Sequence, residues 1–300
     1  MRKILFIISS KAGKTEFNIR KEDIEDTFRK ASRLDEIEVV NTSYKNHTKF
    51  LIDAFDKSDY EEKIVIIAGG DGSLNELVNA SYGKNMTIGL VPTGTGNDFS
   101  KNFDYKNFSP NSLLSFKSKQ IDLIKVNDFY SINVTSLGFD TQVLKKAYAY
   151  LEENPKLGKA AYSKATIRCL TSLSYENLSF DLNLADGSNI KIKGEYLISA
   201  LCNGAYYGSG FNPAPDAKID DGILNLILAE KIPLIMLPSM IIKYKKGKHQ
   251  ASKYLREIKV KSGSISSDEK FIANADGEIF ETNKIKFEVL PKVLNWVLFD

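Results

Sequence analysis

The sequence predicts an α/β domain with a parallel sheet, followed by a mostly antiparallel β domain. In the first part, short apolar blocks alternate with stretches of helical periodicity, which is typical of βαβ units. Later segments of strand pattern follow one another with few helices, which favours a sandwich. A chain of 300 residues exceeds one compact core. We therefore expect domains 1–125 and 126–300, and the apolar end, about residues 290–300, could pack back on the first.

The first domain is predicted from strand segments of four to five residues, of which 4–8 and 64–67 are wholly apolar. These two blocks have the length and composition of buried strands. The segments between the strand segments place apolar residues three or four positions apart, as amphipathic helices do. The predicted strands are 4–8, 38–41, 64–67 and 88–91, and the helices between them carry Ile24 with Phe28, Phe50 with Leu51 and Ala54, and Leu74 with Leu77 and Val78.

A glycine turn follows the third predicted strand and is the most informative motif. Gly69-Gly70-Asp71-Gly72 separates that strand from a helix expected to begin near Ser73. A strand, a glycine turn and a helix N-terminus together aim backbone N–H groups at a phosphate. A carboxylate in such a turn suits a bound Mg²⁺ between it and the phosphate. The alternative is an ordinary turn with a surface aspartate.

Four polar loops should meet at one edge of the predicted parallel sheet. They are residues 9–14, Thr42, the glycine turn and residues 93–98, each directly after a strand. Ligands of open α/β sheets bind beyond the carboxyl ends of the strands. Gly13-Lys14-Thr15 is no P-loop, because the earlier glycine that this motif needs is replaced by Ile8.

The second domain is predicted from strand segments with only three helical stretches among them. Asp186-Gly187 indicates a hairpin turn between two of these strands. The predicted strands are 130–135, 178–184, 190–193, 195–201, 223–228, 258–261, 271–274 and 284–289, and the predicted helices are 141–152, 160–174 and 234–243.

Composition excludes several classes of protein. The apolar share of 43% and charged share of 26% are those of a soluble globular protein, and a net charge of +3 gives no signal for nucleic acid. Cys169 and Cys202 lie far apart without a CxxC motif, so neither a disulfide framework nor a zinc site is expected. Apolar runs are too short for a signal peptide or a membrane span, so we expect a cytoplasmic protein.

With these residues in place, the chain resembles the bacterial soluble diacylglycerol kinase and lipid kinase family, whose fold is shared with NAD kinases and sphingosine kinases. The resemblance covers nearly the whole chain. Two positions depart from the family pattern: Ser73 replaces a usual Thr, and Ser9-Ser10 replaces a frequent Asn-Pro. The matching segments are Gly69-Gly70-Asp71-Gly72-Ser73-Leu74-Asn75-Glu76, Pro92-Thr93-Gly94-Thr95-Gly96-Asn97-Asp98-Phe99, Ile121-Asp122, Asp216-Ala217-Lys218-Ile219-Asp220-Asp221-Gly222 and Asp276-Gly277-Glu278.

The resemblance implies a three-layer α/β nucleotide-binding domain, an antiparallel β-sandwich domain, and roles for particular residues. Asp71 would hold a catalytic Mg²⁺, and Asp122 would join it in one acidic network. Lys14 and Lys164 match lysines that support this network, although solvated surface lysines are the plain alternative. ATP would be held by Lys14, Thr42, Gly70, Asp71, Gly72, Ser73, Asn75, Glu76 and Thr95.

The second domain would supply a base and a structural metal site, again by resemblance. Asp276 or Glu278 would accept the proton of the acceptor hydroxyl, and a plain Asp-Gly hairpin turn is the alternative. Asp221 would bind a structural Mg²⁺ with its side chain, and Lys218 and Ile223 with their backbone carbonyls. A turn that merely leads into a strand is the alternative there.

The implied reaction transfers the γ-phosphoryl group of ATP to a lipid hydroxyl, with diacylglycerol and phosphatidic acid as the expected substrate and product. Phosphatidylglycerol, a sphingoid base or NAD are alternative acceptors, and a silent nucleotide-binding regulator is the alternative class. The enzyme would work transiently at the inner face of the membrane. Family members often pair, so a homodimer is allowed, although the residues give no signal of one.

One stretch could serve as a membrane contact. Residues 231–261 contain nine Lys or Arg residues and one acid, Glu257, and begin with an apolar run broken by Pro233 and Pro238. Apolar and basic residues side by side favour an anionic membrane surface. A core helix with a solvated basic face is the alternative.

Overall fold

The computed structural model describes residues 1–10, 19–44, 46–103, 105, 108–158 and 160–299. The chain divides into two compact units, residues Met1–Leu123 with Pro291–Asp300, and Ile124–Leu290. In the described residues, no helix is both long and apolar enough to cross a bilayer.

The strands are β1 (Arg2–Ile8), β2 (Ile37–Asn41), β3 (Glu62–Gly69), β4 (Thr87–Pro92), β5 (Lys117–Val126), β6 (Phe129–Ser131), β7 (Val134–Gly138), β8 (Glu176–Leu184), β9 (Asn189–Tyr196), β10 (Ile198–Cys202), β11 (Leu224–Ala229), β12 (Leu255–Ala275) and β13 (Glu278–Leu298). The α-helices are α1 (Lys21–Lys30), α2 (His47–Asp56), α3 (Asp71–Ser81), α4 (Phe139–Glu153), α5 (Ala160–Leu170) and α6 (Leu237–Lys245).

The first unit is built on a parallel sheet in the order β13–β4–β3–β1–β2. The central strands β1 and β3 are buried along their apolar blocks, as continuous hydrophobic strands covered on both faces should be. Helix α1 packs Ile24 and Phe28 into the same core as Ile4, Phe6 and Ile64. The alternation of strands and helices therefore produced the predicted parallel α/β sheet.

The end of the chain completes the sheet of the first unit. In β13, Asn295 pairs with Thr87 and Trp296 with Ile88 in parallel register. The fully buried Trp296 ring meets the edge of Phe99, with ring centroids 5.2 Å apart, and stacks on Phe103 at 5.5 Å. The only tryptophan of the chain thus fixes the last strand to the loop that follows β4.

The second unit is antiparallel. Strand β12 pairs with β11, β8, β13 and β7 along its 21 residues, and β8 forms the predicted hairpin with β9 around Asp186-Gly187. On β8 the side chains of Leu178, Phe180 and Leu182 alternate inward, which is the pattern of a sheet with one buried face. These residues share one core with β11, where Leu224, Leu226 and Leu228 are buried.

Three element predictions were wrong in detail. The segments 258–261 and 271–274 belong to a single strand, β12, because the strand pairs with β13 on both sides of a register shift between Ser266 and Phe271. The segment 130–135 splits into β6 and β7, because Ile132 and Asn133 turn their N–H groups to the Asp276 carboxylate instead of to a strand. The segment 195–201 divides between β9 and β10, and β5 had not been predicted as a strand.

Candidate functional site

The loops after the parallel strands are fixed side by side at the carboxyl edge of the first unit. The Ser9 N–H donates to the Ala68 carbonyl, Thr42 N–H to the Ile8 carbonyl, and Thr93 N–H to the Gly69 carbonyl, each at 2.9 Å. These backbone hydrogen bonds extend the parallel sheet past the ends of its strands, so the described parts of the four loops have defined positions. The predicted residue Lys14 lies outside the described residues.

The glycine turn brings two loops into backbone contact and leaves Gly72 exposed in the first turn of the helix. A Cβ atom on Gly94 would lie 2.4 Å from the Gly70 Cα, so only glycine fits this approach. A Cβ atom on Gly72, by contrast, would meet no atom of the described residues within 4 Å. Helix α3 begins at Asp71, two residues before the predicted Ser73, and its first turn is closed by the Leu74 N–H donating to the Gly70 carbonyl at 3.0 Å.

The two positions that depart from the family pattern contact each other. The Ser73 hydroxyl donates to the Ser9 hydroxyl oxygen at 3.1 Å. Next to them, the Ser10 N–H donates to the Thr42 hydroxyl oxygen at 2.9 Å. A row of small hydroxyl side chains therefore connects the loops after β1 and β2 with the start of α3, and hydroxyl groups suit phosphate oxygens as donors.

Asp71 joins the glycine turn to the loop after β4. Its Oδ1 accepts the N–H groups of Asp98, at 2.8 Å, and Phe99, at 3.4 Å. The Asn97 side chain closes its own loop, with Oδ1 accepting from the Gly94 N–H at 3.0 Å and Nδ2 donating to the Gly94 carbonyl at 2.8 Å. The loop is thereby held against the first turn of α3.

Asp98 is a site residue that the sequence analysis did not single out. It is largely buried, forms an ion pair with Lys101, and stands one residue from Asn97, which has a positive φ of 50°. The signal lay in the segment 92–99, which was matched to the family without assigning Asp98 a role. The structure brings it beside Asp71 through the hydrogen bond to its backbone.

Asp122 is fully buried in the first unit and binds backbone. Its Oδ1 accepts the Lys292 N–H at 2.8 Å, where Lys292 has a positive φ of 56°. This carboxylate therefore fixes the residue at which the chain returns to the first unit. Unlike Asp71, it has no exposed surface.

The remaining predicted nucleotide ligands of the first unit differ in exposure. The Asn75 side chain is largely buried in α3, and its Oδ1 accepts from the Asn79 amide at 2.8 Å. Glu76 and Thr95 are exposed, the first on α3 and the second at the tip of the loop after β4. Thr95 is therefore open to a ligand, whereas Asn75 is engaged within its own helix.

In the second unit, Asp276 sits in the two-residue turn between β12 and β13. Its φ is 47° and that of Gly277 is 99°, as the tight hairpin turn requires. Its carboxylate accepts three backbone N–H groups, from Ile132 at 2.6 Å, Asn133 at 3.2 Å and Val134 at 2.9 Å. Burial raises the pKa of this carboxyl, and the N–H donors oppose the shift.

Glu278, two residues further, is exposed at the start of β13. The Tyr148 hydroxyl of α4 donates to the Gly277 carbonyl at 3.2 Å. Burial, helped by Tyr162 and by the charge of Glu278, raises the pKa of Tyr148 to about 12, so this hydroxyl stays protonated. Of the two candidate bases, Glu278 is the accessible one.

Lys164 lies exposed on α5, with its Nζ 4.2 Å from the centroid of the Tyr150 ring. A cation over an aromatic face is a weak but favourable contact. In the described ranges it forms no ion pair with a carboxylate.

The loop before β11 carries three aspartates, Asp216, Asp220 and Asp221. The Asp221 Oδ1 accepts the Ile223 N–H at 3.0 Å, and the following Gly222 has a φ of 70°. Lys218 and Asp221 are exposed. Within the described part of the chain, no group of three or more His, Cys, Asp or Glu side chains could hold a metal ion. Carboxylate and carbonyl oxygens are still the donors that Mg²⁺ prefers, and water can complete its coordination.

Asp140 is a second residue that the sequence did not reveal. It lies in the first turn of α4, and both carboxylate oxygens are buried without a hydrogen bond of good geometry among the described residues. Burial raises its pKa to about 6, and the Ser136 and Tyr207 hydroxyls nearby offset only part of that shift.

Comparisons with known proteins agree with these two units. Residues 3–126 match the family model described as the diacylglycerol kinase catalytic domain, and residues 133–298 match the YegS C-terminal NAD kinase beta sandwich-like domain. A Shewanella frigidimarina protein named "Probable lipid kinase YegS-like" is 31% identical over 242 residues, covering 78% of this chain and 76% of that protein.

Solved structures show the same fold. A crystal structure from Bacillus anthracis str. Sterne covers 100% of this chain, and 97% of its own chain is aligned, with a TM-score of 0.78 and 22% identity. Another from that strain, described as that of a diacylglycerol kinase, gives a TM-score of 0.69 and 20% identity, with 100% and 97% coverage. Together with the family models, these similarities confirm the predicted fold class of an α/β domain followed by a β-sandwich domain.

Proposed function

We propose, because this chain belongs to the diacylglycerol kinase family with a YegS-type C-terminal domain, that it is an ATP-dependent lipid kinase that phosphorylates diacylglycerol to phosphatidic acid. Kinases of this family use ATP as co-substrate. The observation that carries the proposal is the first turn of α3, which holds Asp71 and the exposed Gly72, and where a Cβ atom on Gly72 would meet no atom of the described residues within 4 Å. A helix N-terminus that is accessible in this way suits a phosphate group.

The first unit would hold the triphosphate. Backbone N–H groups of the glycine turn and the hydroxyls of Ser73 and Thr42 are donors for phosphate oxygens. Thr95 would contact the nucleotide from the exposed loop after β4. Gly70 would serve indirectly, since its contact with Gly94 sets the width of the turn.

The acidic residues of the first unit fit a magnesium ion in their donor chemistry. Asp71 and Asp98, which the structure holds together, would bind it directly or through water. When bound, Mg²⁺ would neutralise charge on the phosphate oxygens during transfer. Asp122 would act indirectly in this scheme, because its carboxylate holds the Lys292 backbone.

We assign the base role to Glu278 rather than Asp276. A general base must reach the hydroxyl proton of the acceptor, and Glu278 is exposed. The Asp276 carboxylate is already bound by three backbone N–H groups, so its role would be to shape the turn that presents Glu278.

The Asp221 loop would hold a second, structural Mg²⁺. One carboxylate, the carbonyls of Lys218 and Ile223, and water would form its coordination. Stabilisation by Mg²⁺ in thermal unfolding should then be smaller in Asp221→Ala than in the intact chain, and should be unchanged in Asp216→Ala, which removes another aspartate of the same loop.

The acceptor is tested with radiolabelled ATP and a panel of acceptors: diacylglycerol, phosphatidylglycerol, a sphingoid base and NAD. Labelled phosphatidic acid as the dominant product is expected. Labelled NADP without any lipid product would replace the proposal by NAD kinase activity. An inert protein that still binds ATP would indicate a regulatory role.

The proposed site of action is the inner face of the membrane, reached transiently from the cytoplasm, because diacylglycerol resides in the bilayer. A homodimer is compatible with this proposal. Sedimentation of the intact chain would measure its oligomeric state.

A further inference from the structure

An exposed apolar tip precedes α6 in the second unit. Leu234 is 70% exposed and Ile235 is 90% exposed, and Met236 completes a single short helical turn, Leu234–Met236. Ile232 and Leu237, on either side, are buried in a core cluster. The tip is therefore held firmly at both ends while its own side chains face solvent. Single exposed apolar residues are ordinary, but adjacent ones at this exposure mark an interaction site.

Helix α6 adds a further exposed apolar side chain, Ile242, to the tip. Its buried stripe is Leu237, Met240 and Tyr244, at helical spacing. Ile242 lies away from that stripe and is 56% exposed. Because Ile235 and Ile242 are seven positions apart, they lie along the same side of the segment. The exposed surface is thus a ridge from the tip to the end of the helix.

Five lysines flank the ridge along the chain, one before the tip and four in or directly after the last turn of α6. In the described residues none of them forms an ion pair with a carboxylate. Lys231 and Lys245 lie over the rings of Tyr175 and Phe211, at 5.7 and 5.6 Å from the centroids. The others are exposed in or directly after the last turn of α6. The set is Lys231, Lys243, Lys245, Lys246 and Lys248.

We propose that this ridge, Leu234–Met236 and Ile242 with the five lysines, docks on a bilayer that contains anionic phospholipid. Apolar side chains would enter the interface between headgroups and acyl chains, and the lysines would meet lipid phosphates. This narrows the predicted stretch 231–261 to residues 231–248, because residues from Leu255 onward belong to β12. The inference deepens the proposed function, since a lipid acceptor is reached at a membrane.

A second copy of the chain is a less suitable occupant. A symmetric dimer places the same surface on both sides of the interface, so five lysines would face five lysines. Like charges brought together in this way oppose association. An anionic bilayer instead offers an apolar layer and negative charge together.

The test is cosedimentation of the full chain, without nucleotide, with vesicles of phosphatidylcholine alone or mixed with phosphatidylglycerol. The intact protein should bind the mixed vesicles and bind phosphatidylcholine weakly. Lys243→Gln with Lys246→Gln should weaken binding about 25-fold, from about fivefold per lysine. Leu234→Asn with Ile235→Asn should weaken it at least about tenfold. All four side chains are exposed, so folding should be unaffected.

Control variants carry the same kinds of change elsewhere. Lys191→Gln with Lys193→Gln removes the same charge from β9, and Phe50→Asn removes another exposed apolar side chain, on α2. Both controls should bind like the intact protein. Binding that is equal in all variants, or no binding by the intact chain, would overturn the proposal. Conversion of a dimer to a monomer by the tip variant, with unchanged vesicle binding, would assign the ridge to a second copy.

A further assay distinguishes a failure of the kinase proposal from a failure of the docking proposal. A short-chain diacylglycerol in detergent micelles needs no bilayer, so the tip and lysine variants should phosphorylate it at the rate of the intact chain. An inactive intact protein that still binds anionic vesicles would refute the kinase proposal and leave the docking proposal standing. A loss of micelle activity in variants that still bind anionic vesicles like the intact chain would instead show that the ridge acts on the reaction and not on membrane binding.

Discussion

Two turns, one in each unit, share the dipeptide Asp-Gly and have opposite surroundings. Asp71-Gly72 opens a helix, and a Cβ on Gly72 would meet no atom of the described residues within 4 Å. Asp276-Gly277 closes a hairpin, and both oxygens of its carboxylate accept backbone N–H groups. The first carboxylate joins two loops of the site, whereas the second fixes a turn. The same dipeptide therefore supplies the proposed metal ligand in one place and a structural anchor in the other.

The difference lies in what surrounds each carboxylate. The Asp71 side chain stands among other polar loops at a sheet edge, beside the open space at Gly72. Asp276 faces Ile132, Asn133 and Val134, whose N–H groups lack strand partners at the break between β6 and β7. Buried N–H groups without an acceptor would lower the stability of the folded state. The Asp276 carboxylate is therefore held against these three N–H groups instead of being exposed to solvent.

The largest expected effect is on activity at Asp71. We expect Asp71→Asn to lower kcat/KM at least about 1,000-fold, because it removes the charge that would bind Mg²⁺. Folding should persist, since the asparagine oxygen can still accept the Asp98 N–H. Steady-state assays with radiolabelled ATP measure the loss, and thermal unfolding provides the control. Activity within tenfold of the intact protein would remove Asp71 from the proposed mechanism.

A pair of glycine substitutions separates packing from ligand space. Gly94→Ala should cost about 3 kcal/mol of unfolding free energy, because its Cβ would lie 2.4 Å from the Gly70 Cα. Gly72→Ala should leave stability unchanged or raise it by about 0.5 kcal/mol, since alanine favours a helix. It should nevertheless weaken ATP binding if a phosphate occupies that space. Urea unfolding and ATP titration would measure both, and equal effects of the two changes would contradict the structure.

The second turn should show the reverse of Asp71. Asp276→Ala should cost about 2.5 kcal/mol of unfolding free energy, because three buried N–H groups lose their acceptor. Glu278→Gln should change stability by less than about 0.5 kcal/mol yet lower kcat at least about 100-fold. Urea unfolding and kinase assays on both variants test the assignment. A fully active Glu278→Gln would return the base role to Asp276.

Asp140 provides the smallest effect, seen in the pH dependence of stability. Its pKa of about 6 in the folded chain lies above the ordinary value of 3.8, so the folded state holds the proton longer than the unfolded state. Stability from this group is therefore complete below about pH 4 and is lost as pH rises to about 6. We expect Asp140→Asn to be more stable than the intact protein by about 2 kcal/mol at pH 7.

The difference between the two proteins should vanish below about pH 4, where both carry a neutral side chain. The groups facing Asp140 are the Ser136 hydroxyl, the thiol of Cys202, and Tyr207 and Tyr244. Burial holds the pKa values of the thiol and both phenols well above their usual range, so none of these groups titrates in this window. Denaturant unfolding at a series of pH values would measure the difference. A constant difference across pH would contradict the buried carboxylate.

Much of the fold could be predicted because local patterns reflect burial directly. Strands β1 and β3 are apolar without interruption, since the parallel sheet covers both their faces. Strand β12 escaped such reasoning, because its charged middle, around Asp268 and Lys270, has the composition of a loop. The strand continues through this stretch because residues 262–266 before it and residues 271–275 after it both pair with β13.

The candidate site was visible in part for the same reason. The glycine turn at Gly69–Gly72 carries its geometry in its own residues, so the sequence predicts a phosphate-binding turn there. Asp98 and Asp140 carry no comparable local pattern. Asp98 is recognised as a site residue only because its N–H donates to the Asp71 carboxylate. Asp140 is recognised only because both oxygens of its carboxylate are buried.

The amino-acid sequence by itself determined the family, the division into an α/β and a β region, and the turn that opens α3. Each of these rests on residues close together in the chain. Only the tertiary structure decided which carboxylates are engaged and which are exposed. Asp276 is bound by N–H groups 142 to 144 positions earlier in the chain, and Asp122 by one 170 positions later. Contacts at that separation arise from how strands pair, and no local pattern encodes them.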